Sequence, residues 1–175
     1  TGNVGTETAK RLRALGASVR GVRRDKSKGG HPAFEGVFAM EEIDSLLPET
    51  DALILCLPGT RETRRAVDRT RLALLPQGSY LVNMGRGPAV DPEALLEALQ
   101  SGHLAGAALD VTDPEPPTAD SPLWTQPNLI LTPHCAGDMA LRYTCDRVVE
   151  MFVEDLPRYA AGESLLHEVD RRREY

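Results

Sequence analysis

With 175 residues, 41% of them hydrophobic and only 5% aromatic, the chain can build one aliphatic core and suits an α/β domain better than an aromatic-rich sandwich. A formal net charge of −6 gives no electrostatic reason to expect nucleic acid or an anionic membrane as partner, and no apolar run is long enough for a membrane-spanning helix. The three cysteines, Cys56, Cys135 and Cys145, are an odd number without metal-ligand spacing, so neither a disulfide framework nor a metal site is expected and a reducing, cytoplasmic setting is the default.

Taken in chain order, the elements alternate. Thr6–Leu15 carries Ala9, Leu12 and Leu15 at helical spacing, and Gly16 is a stop able to take positive φ. Ser18–Val22 reads as a strand, 26–32 as a polar loop, Gly36–Phe38 as a short strand, and Met40–Leu47 as a helix closed by Pro48. The apolar run in Asp51–Leu57, stopped by Pro58-Gly59, reads as a strand covered on both faces, as in a parallel sheet. Asp68 is a cap for a helix through Leu75, Tyr80–Val82 is the next strand, and Gly85-Arg86-Gly87 is the turn after it. Asp91 followed by Pro92 opens a helix to about Ser101. Leu104–Val111 is another strand. A Pro-rich loop follows to about Pro127, then the short strand Leu129–Leu131. A last helix near Asp138–Ala160 has Leu141, Cys145, Val148, Val149, Phe152 and Leu156 on one face, and the tail after Gly162 is expected to fray.

Strands alternating with helices make βαβ units and a doubly wound parallel sheet, with sites at the C-terminal ends of the strands. Gly2-Asn3-Val4-Gly5 matches the last two glycines of a G-x-G-x-x-G turn, which brings backbone close to a pyrophosphate and aims free helix N–H groups at it. Many plain turns contain G-x-x-G. The strand that follows ends about 18 residues later at Arg23-Arg24, where an NAD site places an acid for the ribose hydroxyls and an NADP site places Arg for the 2′-phosphate. A solvated Arg pair is the plainer reading; a phosphate contact is favoured. The chain opens at Thr1 with neither an initiator Met nor a strand before the glycines. The expectation is a dinucleotide-binding domain over 1–162, incomplete at its N-terminus with its first strand missing from the chain, and a tail over 163–175. Such a gap leaves unpaired groups on both neighbouring strands and uncovers the inner faces of the first and last helices.

Three further blocks carry a resemblance. They are Asn83-Met-Gly-Arg-Gly-Pro-Ala-Val-Asp91, Leu109-Asp-Val-Thr-Asp-Pro-Glu-Pro116 and Thr132-Pro-His-Cys-Ala-Gly137. In order and spacing they resemble the Asn-x-(Gly/Ala)-Arg-Gly, Asp-Val-x-x-x-Glu-Pro and Thr-Pro-His-x-Ala-Gly segments of the D-isomer-specific 2-hydroxyacid dehydrogenases, and the likeness covers essentially the whole chain. It implies a Rossmann-type domain of an oxidoreductase that moves a hydride between NAD(P)H and a small 2-oxo acid. The relatives in view are glyoxylate or hydroxypyruvate reductases and phosphoglycerate dehydrogenase-like enzymes; Glu115 speaks against formate dehydrogenases, which carry Gln there.

The chemistry suits those residue types. Arg86 can grip a carboxylate with two parallel N–H bonds. His134 can pass a proton to a developing alkoxide, and the resemblance gives Glu115 the task of supporting the imidazolium. Singly, each has an ordinary explanation: a surface ion pair for Arg86, a solvated loop acid for Glu115, a hydrogen-bonded core residue for His134. The resemblance further assigns cofactor contacts to Leu57, Pro58 and Thr63 on the adenine and pyrophosphate side, to Met84, Gly85 and Asp110 beside the nicotinamide ribose and carboxamide, and to Ala136 and Gly137 at the nicotinamide. Cys135 reads as a passive pocket thiol. NADP is the preferred cofactor, with NAD left open, and the implied assembly is a homodimer. The substrate domain that relatives fold from a preceding segment is expected to be absent. Two rivals stay open: a dinucleotide-sensing, corepressor-like regulator on the same fold, and an inactive fragment.

Overall fold

The computed structural model describes residues 1–137 and 141–169. Helix α1, Asn3–Ala14, starts immediately after the extended Gly2, three residues earlier than its apolar stripe suggests. Strand β1 is Arg20–Arg23 and pairs in parallel with β2, Gly36–Ala39. The segment expected as one helix over Met40–Leu47 is a short α2, Ile43–Leu46, between two 3-10 turns, Met40–Glu42 and Leu47–Glu49. Pro48 explains the second turn, because it cannot donate the amide an α-helix would need.

Strand β3 is Ala52–Leu55, shorter than the apolar run that contains it. Helix α3, Arg69–Leu74, is capped by the Asp68 carboxylate, which accepts the Arg71 N–H. Strand β4, Ser79–Asn83, follows. Helix α4, Pro92–Gln100, is capped by Asp91, whose carboxylate accepts the N–H groups of Glu93 and Ala94. Strand β5 is Leu104–Leu109, β6 is Leu129–Leu131, and helix α5 is Arg142–Ala160. The start expected for that helix, 138–140, lies outside the described residues, as does the end of the tail, 170–175. The tail before it is not frayed: the N–H groups of Leu166 and His167 donate to the Asp155 carboxylate at 2.7 and 3.0 Å.

All pairings are parallel, but the strands form two sheets, β1–β2 and β3–β4–β5–β6. Among the described residues no strand joins β1 to β3, and the Thr1–Gly5 segment lies in the seam. The Thr1 amine reaches Val22 O at 3.3 Å, and Gly5 faces Cys56 at the end of β3. The core gathers on the larger sheet, where Leu81 of β4 packs with Leu72, Leu95, Leu99, Leu104 and Val67. Strand β3 is not covered on both faces as its composition suggests: Ala52 is exposed, and Leu53 and Ile54 are half-buried. Of α1 only Ala9 is buried, and α5 buries no residue; Phe152 on its apolar face is 65% exposed. No helix of the described residues is long and apolar enough to cross a membrane.

Two glycines set the spacing of the loops above the larger sheet. A Cβ on Gly85 would stand 2.6 Å from Leu57 O, and one on Gly87 would stand 1.8 Å from Thr112 O. Neither obstacle is a side chain that can swing away. Gly87→Ala is therefore expected to destabilise the protein by about 1–3 kcal/mol or more, the range for forced overpacking. Urea denaturation checks this, and an unchanged midpoint would show that the two loops can part without cost.

Candidate active site

The larger sheet aligns its strand ends. The Met84 N–H donates to Leu55 O at 3.1 Å, Asp110 N–H to Asn83 O at 2.9 Å, and Thr132 N–H to Leu109 O at 3.0 Å. These bonds continue the ladders one step past β4, β5 and β6. They bring Met84-Gly85-Arg86, Asp110 and Thr132–His134 to a single edge, the carboxyl edge where parallel sheets carry their sites.

Arg86 stands between the two close-approach glycines. Its alkyl stem lies against Gly59, and its Nη1 donates to Gly85 O at 2.7 Å. Below it, Asn83 is 1% exposed. Its Oδ1 accepts the Gly85 N–H at 3.1 Å and its Nδ2 donates to Arg86 O at 3.1 Å. One buried amide therefore closes the turn from both sides. Asn83 belongs to a sequence block already singled out, but its task as a clamp depends on burial and could not be read from composition.

The second group centres on His134, whose backbone takes the left-handed φ of 53°, uncommon for any residue but glycine. The Asp110 carboxylate holds the turn in place. Oδ1 accepts the Thr132 hydroxyl and the Cys135 N–H, the latter at 3.0 Å, and Oδ2 accepts the Ala136 N–H at 3.0 Å. Burial pushes the Asp110 carboxyl up, but these three hydrogen bonds outweigh it and hold the group below its ordinary value. Thr132 is the second residue whose part the sequence did not disclose.

From this turn His134 Nδ1 meets Glu115 Oε1 at 2.6 Å. The other Glu115 oxygen accepts the Thr112 N–H at 3.3 Å. The His134 hydrogen bond is the largest influence holding the Glu115 carboxyl below its usual range. Partial burial opposes it, and the charge of Arg86 adds to it. Glu115 is therefore an anion at neutral pH, and the ring nitrogen facing it carries a proton. Arg86 and His134, distant from Glu115 in sequence, both lie close enough to act on its carboxyl.

The remaining predicted residues lie along the same edge, from the seam across to His134. Gly2, Asn3 and Val4 are exposed at the start of α1, whose first turn has no side-chain cap and no acid. Such an end is receptive to an anion. Arg23 Nη1 donates to Gly29 O at 2.6 Å, and Arg24 pairs with Glu62 at 2.7 Å. Glu62 is a third residue that sequence reasoning passed over. Leu57 and Pro58 are half-buried beyond β3, and the Thr63 hydroxyl donates to Pro58 O at 2.6 Å, folding the 58–63 loop onto itself. Met84 is half-buried, Gly85 buried, and Ala136 and Gly137 are exposed beside His134. Cys135 is exposed and unbridged.

Residues 1–136 match the sequence model of the D-isomer specific 2-hydroxyacid dehydrogenase, NAD binding domain. A glyoxylate/hydroxypyruvate reductase A of Klebsiella pneumoniae is 37% identical over 174 residues, covering 99% of this chain and 54% of the relative. A crystal structure of a D-isomer specific 2-hydroxyacid dehydrogenase from Xanthobacter autotrophicus Py2 in complex with NADPH superimposes with a TM-score of 0.87 at 39% identity, over 99% of this chain and 69% of that one. An NADPH-dependent glyoxylate/hydroxypyruvate reductase from Sinorhizobium meliloti, solved with NADP and sulfate, gives a TM-score of 0.87 at 30% identity, over all of this chain and 55% of that one. The chain thus spans about half the length of the curated relatives it matches. With three quarters of its residues under one family model and Rossmann-like neighbours along its length, the chain belongs to the D-isomer specific 2-hydroxyacid dehydrogenase family, in the part that forms the NAD-binding domain.

Proposed function

We propose that residues 1–162 are the dinucleotide-binding domain of an NADPH-preferring reductase of small 2-oxo acids, with 163–175 as its tail, and that Arg86, Glu115 and His134 are its catalytic residues. The observation that carries this reading is the 2.6 Å pair between His134 Nδ1 and Glu115 Oε1, within the field of Arg86 at the carboxyl edge of the sheet. The uncapped, acid-free start of α1 and the two guanidiniums at the end of β1 fit a dinucleotide that carries an extra phosphate. NAD remains a second cofactor of the same site. Gly2, Asn3, Val4 and Gly5 would hold the pyrophosphate, Arg23 and Arg24 the 2′-phosphate, and Leu57, Pro58 and Thr63 the adenosine side. Met84, Gly85, Asp110, Ala136 and Gly137 would line the nicotinamide end. When bound, the reduced nicotinamide supplies the hydride.

This chain's own residues do the rest. Arg86 takes the substrate carboxylate through its planar fork and fixes the position of C2. Glu115 holds the His134 ring by Nδ1, which leaves Nε2 on the far side of the ring to meet the substrate oxygen. As hydride arrives at C2 the carbonyl oxygen gains charge, and His134 passes it the proton that makes the 2-hydroxy acid. Asp110 keeps the His134 turn in its left-handed conformation through the step. Cys56 and Cys135, which form no disulfide, suit a reducing compartment, and a homodimeric assembly is the one the family resemblance implies.

NADPH oxidation by the protein with glyoxylate, hydroxypyruvate and related 2-oxo acids tests the reading. His134→Ala is expected to lower kcat by about 10²- to 10⁴-fold, the usual contribution of a positioned proton donor. Arg86→Ala is expected chiefly to raise KM. Near-normal turnover by His134→Ala would remove it from the chemistry. Tight cofactor binding with no turnover of any 2-oxo acid would favour the dinucleotide sensor or the inactive fragment over the reductase.

The pH profile separates Glu115 from a bystander. Its carboxyl is held low, so it is charged across the neutral range and favours the imidazolium that reduction consumes. Glu115→Gln removes that charge. The limb where reduction fades with rising pH is expected to move to lower pH; an unmoved limb would make Glu115 a loop acid without influence on the proton donor.

A further inference from the structure

Arg24 does not stand open at the end of β1. Its Nη2 lies 2.7 Å from Oε2 of Glu62, in the loop that follows β3 and is folded by the Thr63–Pro58 bond. The ion pair therefore runs from one sheet to the loop above the other, across the seam where the two part. The two side chains are 37% and 69% exposed, so a polyanion at the carboxyl edge can reach the guanidinium. Its neighbour Arg23 is held differently, by the Gly29 carbonyl at 2.6 Å, with the Asp25 carboxylate near enough for the two charges to interact.

We propose that Glu62 sets the cofactor selectivity of this site, its carboxylate competing with the 2′-phosphate of NADPH for Arg24. This rests on the NADP(H) reading above and deepens it. A phosphomonoester brings about −1.5 to −2 charges and three acceptor oxygens, so it outbids a single carboxylate for a guanidinium. To do so it must displace Glu62 and then tolerate a negative charge on the adjoining loop. NADH presents only a hydroxyl there and leaves the ion pair standing. The carboxylate thus weakens NADPH binding and is neutral toward NADH. It narrows the preference that Arg23 and Arg24 create, and so keeps NADH usable. The glycine turn cannot discriminate in this way, because both cofactors share the pyrophosphate.

The test is titration of the protein and of Glu62→Gln, Arg24→Gln and the double variant with NADPH and with NADH, at low and high salt. Glu62→Gln is expected to tighten NADPH by about two- to fivefold, the range of an exposed ion pair, while NADH changes by less than twofold. The gain should shrink at high salt and in the Arg24→Gln background. No change for NADPH, an equal change for both cofactors, or a gain undiminished without Arg24 would overturn the proposal. Tighter NADH than NADPH binding by the unaltered protein would instead refute the NADPH preference itself, with the effect of Glu62→Gln still readable from the ratio of the two affinities.

Discussion

Two backbone approaches open only to glycine govern this molecule: Gly85 against Leu57 and Gly87 against Thr112. They fix how close the loops after β3, β4 and β5 come to one another, and Arg86 is the residue caught between them. The second approach reaches further. Thr112, pressed by Gly87, gives its N–H to Glu115, and Glu115 in turn holds the ring of His134. The placement of the imidazole is therefore traceable, contact by contact, to the absence of a Cβ on another loop.

Two carboxylates at this edge do different work because they face different donors. Asp110 is engaged by a hydroxyl and two main-chain N–H groups, and it acts on the shape of the 132–136 turn. Glu115 keeps an oxygen for an imidazole ring, 2.6 Å from its Nδ1. Environment, more than residue type, divides the labour between them.

What could be read from the sequence was local. Asp91-Pro92 and Asp68 announce their caps because the cap is made within three residues, and both formed as the spacing implies. Leu129–Leu131 matched residue for residue, hemmed by Asn128 and Pro133. The run through Leu57 misled because hydrophobicity does not report hydrogen bonding: the strand ends at Leu55, short of Leu57. The Arg–Glu–His set was legible as ordered motifs, although its 2.6 Å geometry was not. Asn83 as a clamp, Thr132 as a prop and Glu62 opposite Arg24 all depend on which loops the sheet brings together. The tail misread for the same reason: Asp155 lies eleven residues before Leu166, too far for any local rule to join them.

Strands β4 and β5 are flanked on both sides, whereas β1 and β3 each turn one edge to the seam and α5 buries nothing. Opening of the β1–β2 pair exposes little of the core around Leu81, so it requires far less than global unfolding. Amide protons of β4 would outlast those of β1 in deuterated solvent. The Arg86–Glu115–His134 edge thus stands on the sheet of the doubly flanked strands, whereas Arg23 and Arg24 stand at the end of a strand that pairs with β2 alone among the described residues.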